Sequence, residues 1–117
     1  MGYRIEYAQR KRALKAVVSG KSSLERASRI ARDISEEATR QAARQLLIDV
    51  RRLADRVGTL RALVVPTTVV PGCAVAVLDV HENDRHYVFS EHAACRGGRL
   101  LRLFHDPAAA ARWLEGQ

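Results

Sequence analysis

Sulfur, aromatic rings and lysine are all scarce in this chain. Its cysteines are Cys73 and Cys95 alone, placed at an expected strand start and an expected last helical turn with no second sulfur near either. That excludes a disulfide framework and a paired-thiol metal site, and both are read as reduced thiols of an intracellular protein. There are six aromatic residues, and three of them, Tyr3, Tyr7 and Trp113, sit near the ends, which leaves few platforms on which bases could stack. Lys11, Lys15 and Lys21 are the only lysines, so the net charge of +7 comes almost wholly from arginine. Arginine with alanine at this level is also what a GC-rich genome produces, and the basic balance is weak evidence for nucleic acid. No uninterrupted apolar run is long enough to cross a membrane. The best stretch, Leu60 to Val80, is broken by Arg61, Pro66, Thr67, Thr68, Pro71, Gly72 and Asp79. The first residues lack an apolar signal core, and Glu6 stands where a myristoylation motif needs Ser or Thr. The expected location is the cytoplasm.

What is present suits one folded domain over residues 1–117. The length fits a single core, and 47% of the residues are apolar, too many for a disordered chain. The domain is expected to fold alone or as a small homo-oligomer. Tyr3 to Tyr7 alternates apolar with charged residues, the period of a half-buried strand, and Ala13 to Val18 completes a hairpin stopped by Ser19-Gly20. Ser22-Ser23-Leu24-Glu25 reads as a capping box with Ser22 as the cap. The helix after it carries an apolar stripe of Leu24, Ala27, Ile30, Ala31, Ile34 and Ala38, turns Arg26, Arg29, Arg32 and Arg40 outward, and runs to about residue 43.

Leu46 to Val50 has the unbroken apolar character of a central strand, followed by a polar loop from Arg51 to Val57. Gly58-Thr59 opens a short helix ending near Pro66, and Cys73 to Asp79 is a second buried strand. A helix capped by Asn83 or Asp84 ends at Gly97-Gly98, and Arg99 to Phe104 forms the fifth strand. Asp106-Pro107 places a cap and a first-position proline before a last helix that turns Ala110, Trp113 and Leu114 inward. The expected fold is α/β, a five-stranded mixed sheet with four helices in the order β-β-α-β-α-β-α-β-α, with the later strands parallel.

Leu47-Ile48-Asp49-Val50-Arg51, Gly58-Thr59-Leu60, Arg96-Gly97-Gly98 and Arg102-Leu103-Phe104-His105-Asp106, with Ala110 to Trp113-Leu114, together resemble segments of the STAS-like superfamily, specifically its bacterial SpoIIAA-like (STAS/SEC14-type) proteins. The resemblance covers most of the chain. It implies a regulatory domain that binds a protein partner or a small apolar or anionic ligand. In anti-sigma-factor antagonists of the superfamily, a serine at the start of the helix after the third strand is phosphorylated. The corresponding stretch here is Asp55-Arg56-Val57-Gly58-Thr59, without the Asp-Ser-Ser-Gly signature, so Thr59 offers the only hydroxyl. Capping the helix is its first expected role, and phosphorylation the second.

No catalytic constellation and no cofactor emerges. Gly20-Lys21-Ser22 imitates the end of a phosphate-binding loop, but Lys15 stands where the first glycine belongs. His81, Glu82, Asp84 and His86 fit no standard zinc spacing and read as a solvated turn, while His92 and His105 are isolated. Cys95 at a helix C-terminus reads as buried filler, because that location raises a thiol pKa. Asp49, Arg51, Arg52, Asp55 and Arg56 lie at the carboxyl end of a central strand, where open α/β sheets place their ligands. With Thr59 they form the candidate regulatory edge, and the competing reading is a set of ion pairs that hold a loop. The alternative function, from a different class, is a nucleic-acid-binding module using Arg10, Lys11, Arg12, Arg40, Arg44, Arg51, Arg52 and Arg56.

Overall fold

A computed structural model of the chain describes residues 2–10, 13–54, 72–80 and 100–117. Five strands, β1 (Tyr3–Arg10), β2 (Ala13–Lys21), β3 (Gln45–Ala54), β4 (Ala74–Leu78) and β5 (Leu100–Phe104), lie side by side in chain order in one sheet. β1 pairs antiparallel with β2, and every later pair is parallel. The sheet is therefore mixed, with both apolar runs expected in its interior found there. Two helices are described, α1 (Leu24–Arg40) and α2 (Pro107–Glu115), giving the order β-β-α-β-β-β-α in place of the fuller expected one with four helices. The helices expected after Thr59 and after Asn83 or Asp84 lie outside the described residues, as do Cys95 and the cluster His81, Glu82, Asp84, His86.

Side-chain alternation along the strands builds two cores. On one face, Ile30, Ile34 and Ala38 of α1 meet Leu14, Ala16 and Val18 of β2, Leu46, Ile48 and Val50 of β3, Val75 and Val77 of β4 and Leu101 of β5. On the other, Ala110 and Leu114 of α2 settle on Ala74 and Ala76, with Leu47, Phe104 and Trp113 at the margin. All five residues of β4 are buried because both of its faces are covered. The small Ala74 and Ala76 side chains let α2 approach closely through Ala110 and Leu114. Trp113 consequently sits at the flank. It is half-buried, not largely buried as the helix pattern implied, and its ring lies 5.6 Å from that of Phe104. Cys73 is buried, and burial pushes its thiol up to about 11, away from reactivity.

Several local features depart from the sequence pattern. The α1 cap is Ser23, whose Oγ accepts from the Arg26 amide at 3.1 Å, and not Ser22. Ser22 is held one step earlier because its own amide donates to the Ala54 carbonyl at 2.9 Å, extending the β2–β3 ladder. Glu25 pairs with Arg29 at 3.1 Å along the helix. The strands of the hairpin are longer than expected, and Gly20 lies inside β2 with φ +100 instead of stopping it.

The helix α1 stops at Arg40, short of residue 43. Ala42 turns to φ 52, its amide donates to the Thr39 carbonyl, and the Ala43 amide donates to the Ala38 carbonyl. That is a Schellman termination with alanine in the left-handed position that glycine usually fills. Ala42→Gly is expected to stabilise the domain by about 0.5 to 1 kcal/mol, because the left-handed conformation costs alanine roughly 1 kcal/mol and the helix end is otherwise unchanged. Chemical denaturation of the two proteins checks it, with an unchanged midpoint as the contrary result.

Candidate functional site

Of the candidate residues, Asp49, Arg51 and Arg52 lie toward the carboxyl edge of the parallel strands. β3 does not end at Val50 but continues into the expected loop as far as Ala54, the last described residue of that segment. Val17 faces Asp49 and Ser19 faces Arg52, so Val50 and Arg51 together oppose Val18 in a bulge. The bulge shifts the alternation by one residue. Leu53 thereby returns to the core while Arg51 and Arg52 both stay exposed. An apolar-polar pattern that looked like a strand running into a loop is one strand with an inserted residue.

Asp49 exploits the irregularity. Its Oδ1 accepts from the Arg51 amide at 3.0 Å and from Arg51 Nε at 3.1 Å, while Oδ2 accepts from Arg51 NH2 at 2.9 Å. The Asp49 side chain is 7% exposed and the Arg51 side chain 40%. Burial alone would raise the Asp49 pKa, but the Arg51 hydrogen bonds and charge, with Lys15 nearby, hold the carboxyl below its ordinary range. The same hydrogen bond raises the pKa of Arg51. Both carboxylate oxygens are thus engaged in an ionised, bidentate pair, which fixes the bulge and suits neither a general base nor a nucleophile.

The structure brings together Asp49 and Arg51, and it places Arg52 exposed beside them. Asp55, Arg56 and Thr59 lie outside the described residues. One residue of the same edge escaped the sequence reading. Asp79 is fully buried just past the end of β4, where its Oδ1 accepts from the Val80 amide at 2.7 Å and its own amide donates to the Phe104 carbonyl at 3.0 Å. His105 Nδ1 lies 3.0 Å from the Asp79 carbonyl oxygen, tying the ends of β4 and β5 together. An acid closing an unbroken apolar parallel strand was the available signal. It ends a run, Cys73 to Asp79, whose apolar character points to burial before chemistry.

A five-stranded sheet of this order, with an antiparallel strand at one edge, parallel strands thereafter and helices on both faces, defines a class of α/β domain. Among solved structures, an anti-sigma factor antagonist from Mycobacterium paratuberculosis superposes with a TM-score of 0.72 over 97% of this chain and 95% of that one, at 14% sequence identity. The likeness shows that the chain has the STAS-like fold implied by its Leu47 to Arg51 and Arg102 to Asp106 segments. No protein-family model and no curated protein matches the sequence. Among the described residues, no helix is long and apolar enough to cross a membrane.

Proposed function

We propose that this chain is a non-enzymatic regulatory domain that binds a protein partner at the carboxyl edge of its sheet, with Arg52 as the central contact and the Asp49–Arg51 pair as its support. The observation that carries the reading is the bulge, which displays two consecutive arginines on a rigid interior strand while Asp49 locks the first of them in place. The solved neighbour is, by its name, an antagonist of an anti-sigma factor, so the proposed partner is a regulatory protein of that kind. Asp55, Arg56 and Thr59 continue the same edge in this proposal, with Thr59 as a helix cap before it is a phosphoacceptor.

The pairing of arginines with neighbouring carboxylates favours this reading over a nucleic-acid module. Arg29 is paired with Glu25, Arg40 with Glu37 and Arg51 with Asp49, which spends three cations on internal carboxylates and breaks up a continuous basic face. Affinity capture from the native host, with the wild-type domain and Arg52→Glu as parallel baits, tests the assignment. Arg52 is exposed, so the variant is expected to fold normally and to lose the specific partner at least tenfold, in line with truncation or reversal of a central interface arginine. Capture of the same protein to the same extent by both baits contradicts it.

A further inference from the structure

The geometry points to the outer edge of β1 as a self-complementary interface, through which two copies pair antiparallel with Ile5 opposite Ile5 and join their sheets into one. This goes beyond the carboxyl-edge reading and concerns the opposite side of the sheet from β5.

Backbone direction comes first. The Lys21 amide donates to the Gly2 carbonyl at 3.1 Å, and Gly2 and Lys21 stand directly opposite in the register that pairs Tyr3 with Gly20. In an antiparallel ladder, hydrogen-bonded pairs recur at every second residue. Arg4, Glu6 and Ala8 therefore direct their backbone groups toward β2, and Tyr3, Ile5 and Tyr7 direct theirs outward. Among the described residues no strand pairs with that outer edge. An edge of this length with outward amides at regular spacing is a template for another strand.

Charge then selects the occupant and the register. Only registers that place odd-numbered residues of β1 opposite odd-numbered residues of a second β1 satisfy the outward groups. With Ile5 opposite Ile5, Tyr3 faces Tyr7 of the second copy, and Arg4 faces Glu6 twice across the two-fold axis. Sliding by two residues one way puts Glu6 opposite Glu6, and the other way Arg4 opposite Arg4. Like charges directly opposite are destabilising, so both slipped registers are penalised. In the favoured register the Arg4 and Glu6 positions are non-hydrogen-bonded pairs, where side chains come closest. Within one copy Arg4 and Glu6 already share a face and lie 3.6 Å apart, so a second copy converts an exposed pair into an alternating quartet. On the other face, Tyr3 and Ile5 pack on the α1-side core while Tyr7 keeps 37% of its surface exposed, and the second copy's Tyr3 supplies the missing apolar neighbour. The interface is isologous and closed, so it yields a dimer and not a fibre.

Sedimentation equilibrium of the full chain tests the pairing. The wild-type protein is expected to run as a dimer at micromolar concentrations. Arg4→Glu and Glu6→Arg should each weaken the dimer about tenfold or more, since each replaces two attractive cross-strand pairs by two repulsive ones. Mixing those two variants should restore a dimer, as should the double exchange Arg4→Glu with Glu6→Arg. Both side chains are well exposed, and circular dichroism melts of each variant confirm folding. A wild-type monomer at all concentrations overturns the proposal, and a monomer whose Ile5 amide resists hydrogen exchange would show that the chain covers its own edge. A dimer indifferent to both charge reversals overturns it equally.

Discussion

Replacing Gly20 by alanine is expected to lower the stability of the domain by roughly 3 kcal/mol, the largest effect of any single methyl addition among the described glycines. Two causes act together. The backbone at Gly20 has φ +100, which an L side chain rarely adopts, and a Cβ placed there would stand 2.5 Å from the Gly2 carbonyl oxygen and 3.0 Å from Tyr3 Cα. Gly20 faces Tyr3 across the hairpin at a position where the two main chains approach most closely. Relief would require β1 to move away from β2, and β1 carries Tyr3 and Ile5 into the core. Gly72→Ala serves as the comparison. Gly72 also has positive φ, at +71, but an added Cβ meets nothing within 4 Å, so about 1 kcal/mol of conformational strain is the whole expected cost. Urea denaturation of the two variants separates the contact from the strain, and equal losses would contradict the close-approach account.

Asp49→Ala is expected to cost about 2 kcal/mol at neutral pH, and Asp49→Asn less. The carboxylate is buried and accepts three hydrogen bonds from Arg51, so its removal leaves the Arg51 amide and guanidinium without these partners in the bulge. The Arg51 side chain is 40% exposed and its guanidinium regains water, which keeps the cost below that of breaking a fully buried pair. The acid dependence has a definite sign. Because the folded-state pKa is lowered, the pair's contribution is fully present above the ordinary carboxylate value near 3.9 and is lost as pH falls through the lower folded value. The stability difference between wild type and Asp49→Asn should therefore be flat from pH 7 to about 5 and shrink below about 4. A difference that stays constant down to pH 2 would show that the carboxylate's charge contributes nothing.

The interior of the sheet was legible because periodicity and burial say the same thing there. Leu46 to Val50 and Cys73 to Asp79 admit no other placement once they are too short for helices and too apolar for loops. The Asp106 cap and Pro107 were equally clear, since their roles are local. The misreadings arose where tertiary contacts override local chemistry. Ser22 has the better capping-box spacing, yet its amide belongs to the ladder with Ala54, and Ser23 takes the cap. Ala42 ends α1 without the glycine that normally signals a stop, so the pattern ran on toward residue 43. The bulge at Val50-Arg51 turned the second half of β3 into an apparent loop, because one inserted residue breaks the alternation by which strands are recognised. For the candidate site, Asp49, Arg51 and Arg52 were visible from their place at the end of an apolar run, although β3 continues past them to Ala54. The bidentate lock between the first two was not, since residues two apart share a face but only geometry shows them joined. Asp79 was hidden for the opposite reason, a buried acid inside a run that seemed to need no further explanation.

Under the proposed function, a protein partner sits at the bulged carboxyl edge around Arg52. Incorporating a photo-crosslinking amino acid at position 52, and separately at exposed Arg112 on α2, then irradiating the native host tests it most directly. A discrete crosslinked adduct to one regulatory protein from position 52, and none from position 112, is the result the proposed function predicts. Equal labelling from both positions, or adducts from position 112 alone, would contradict it.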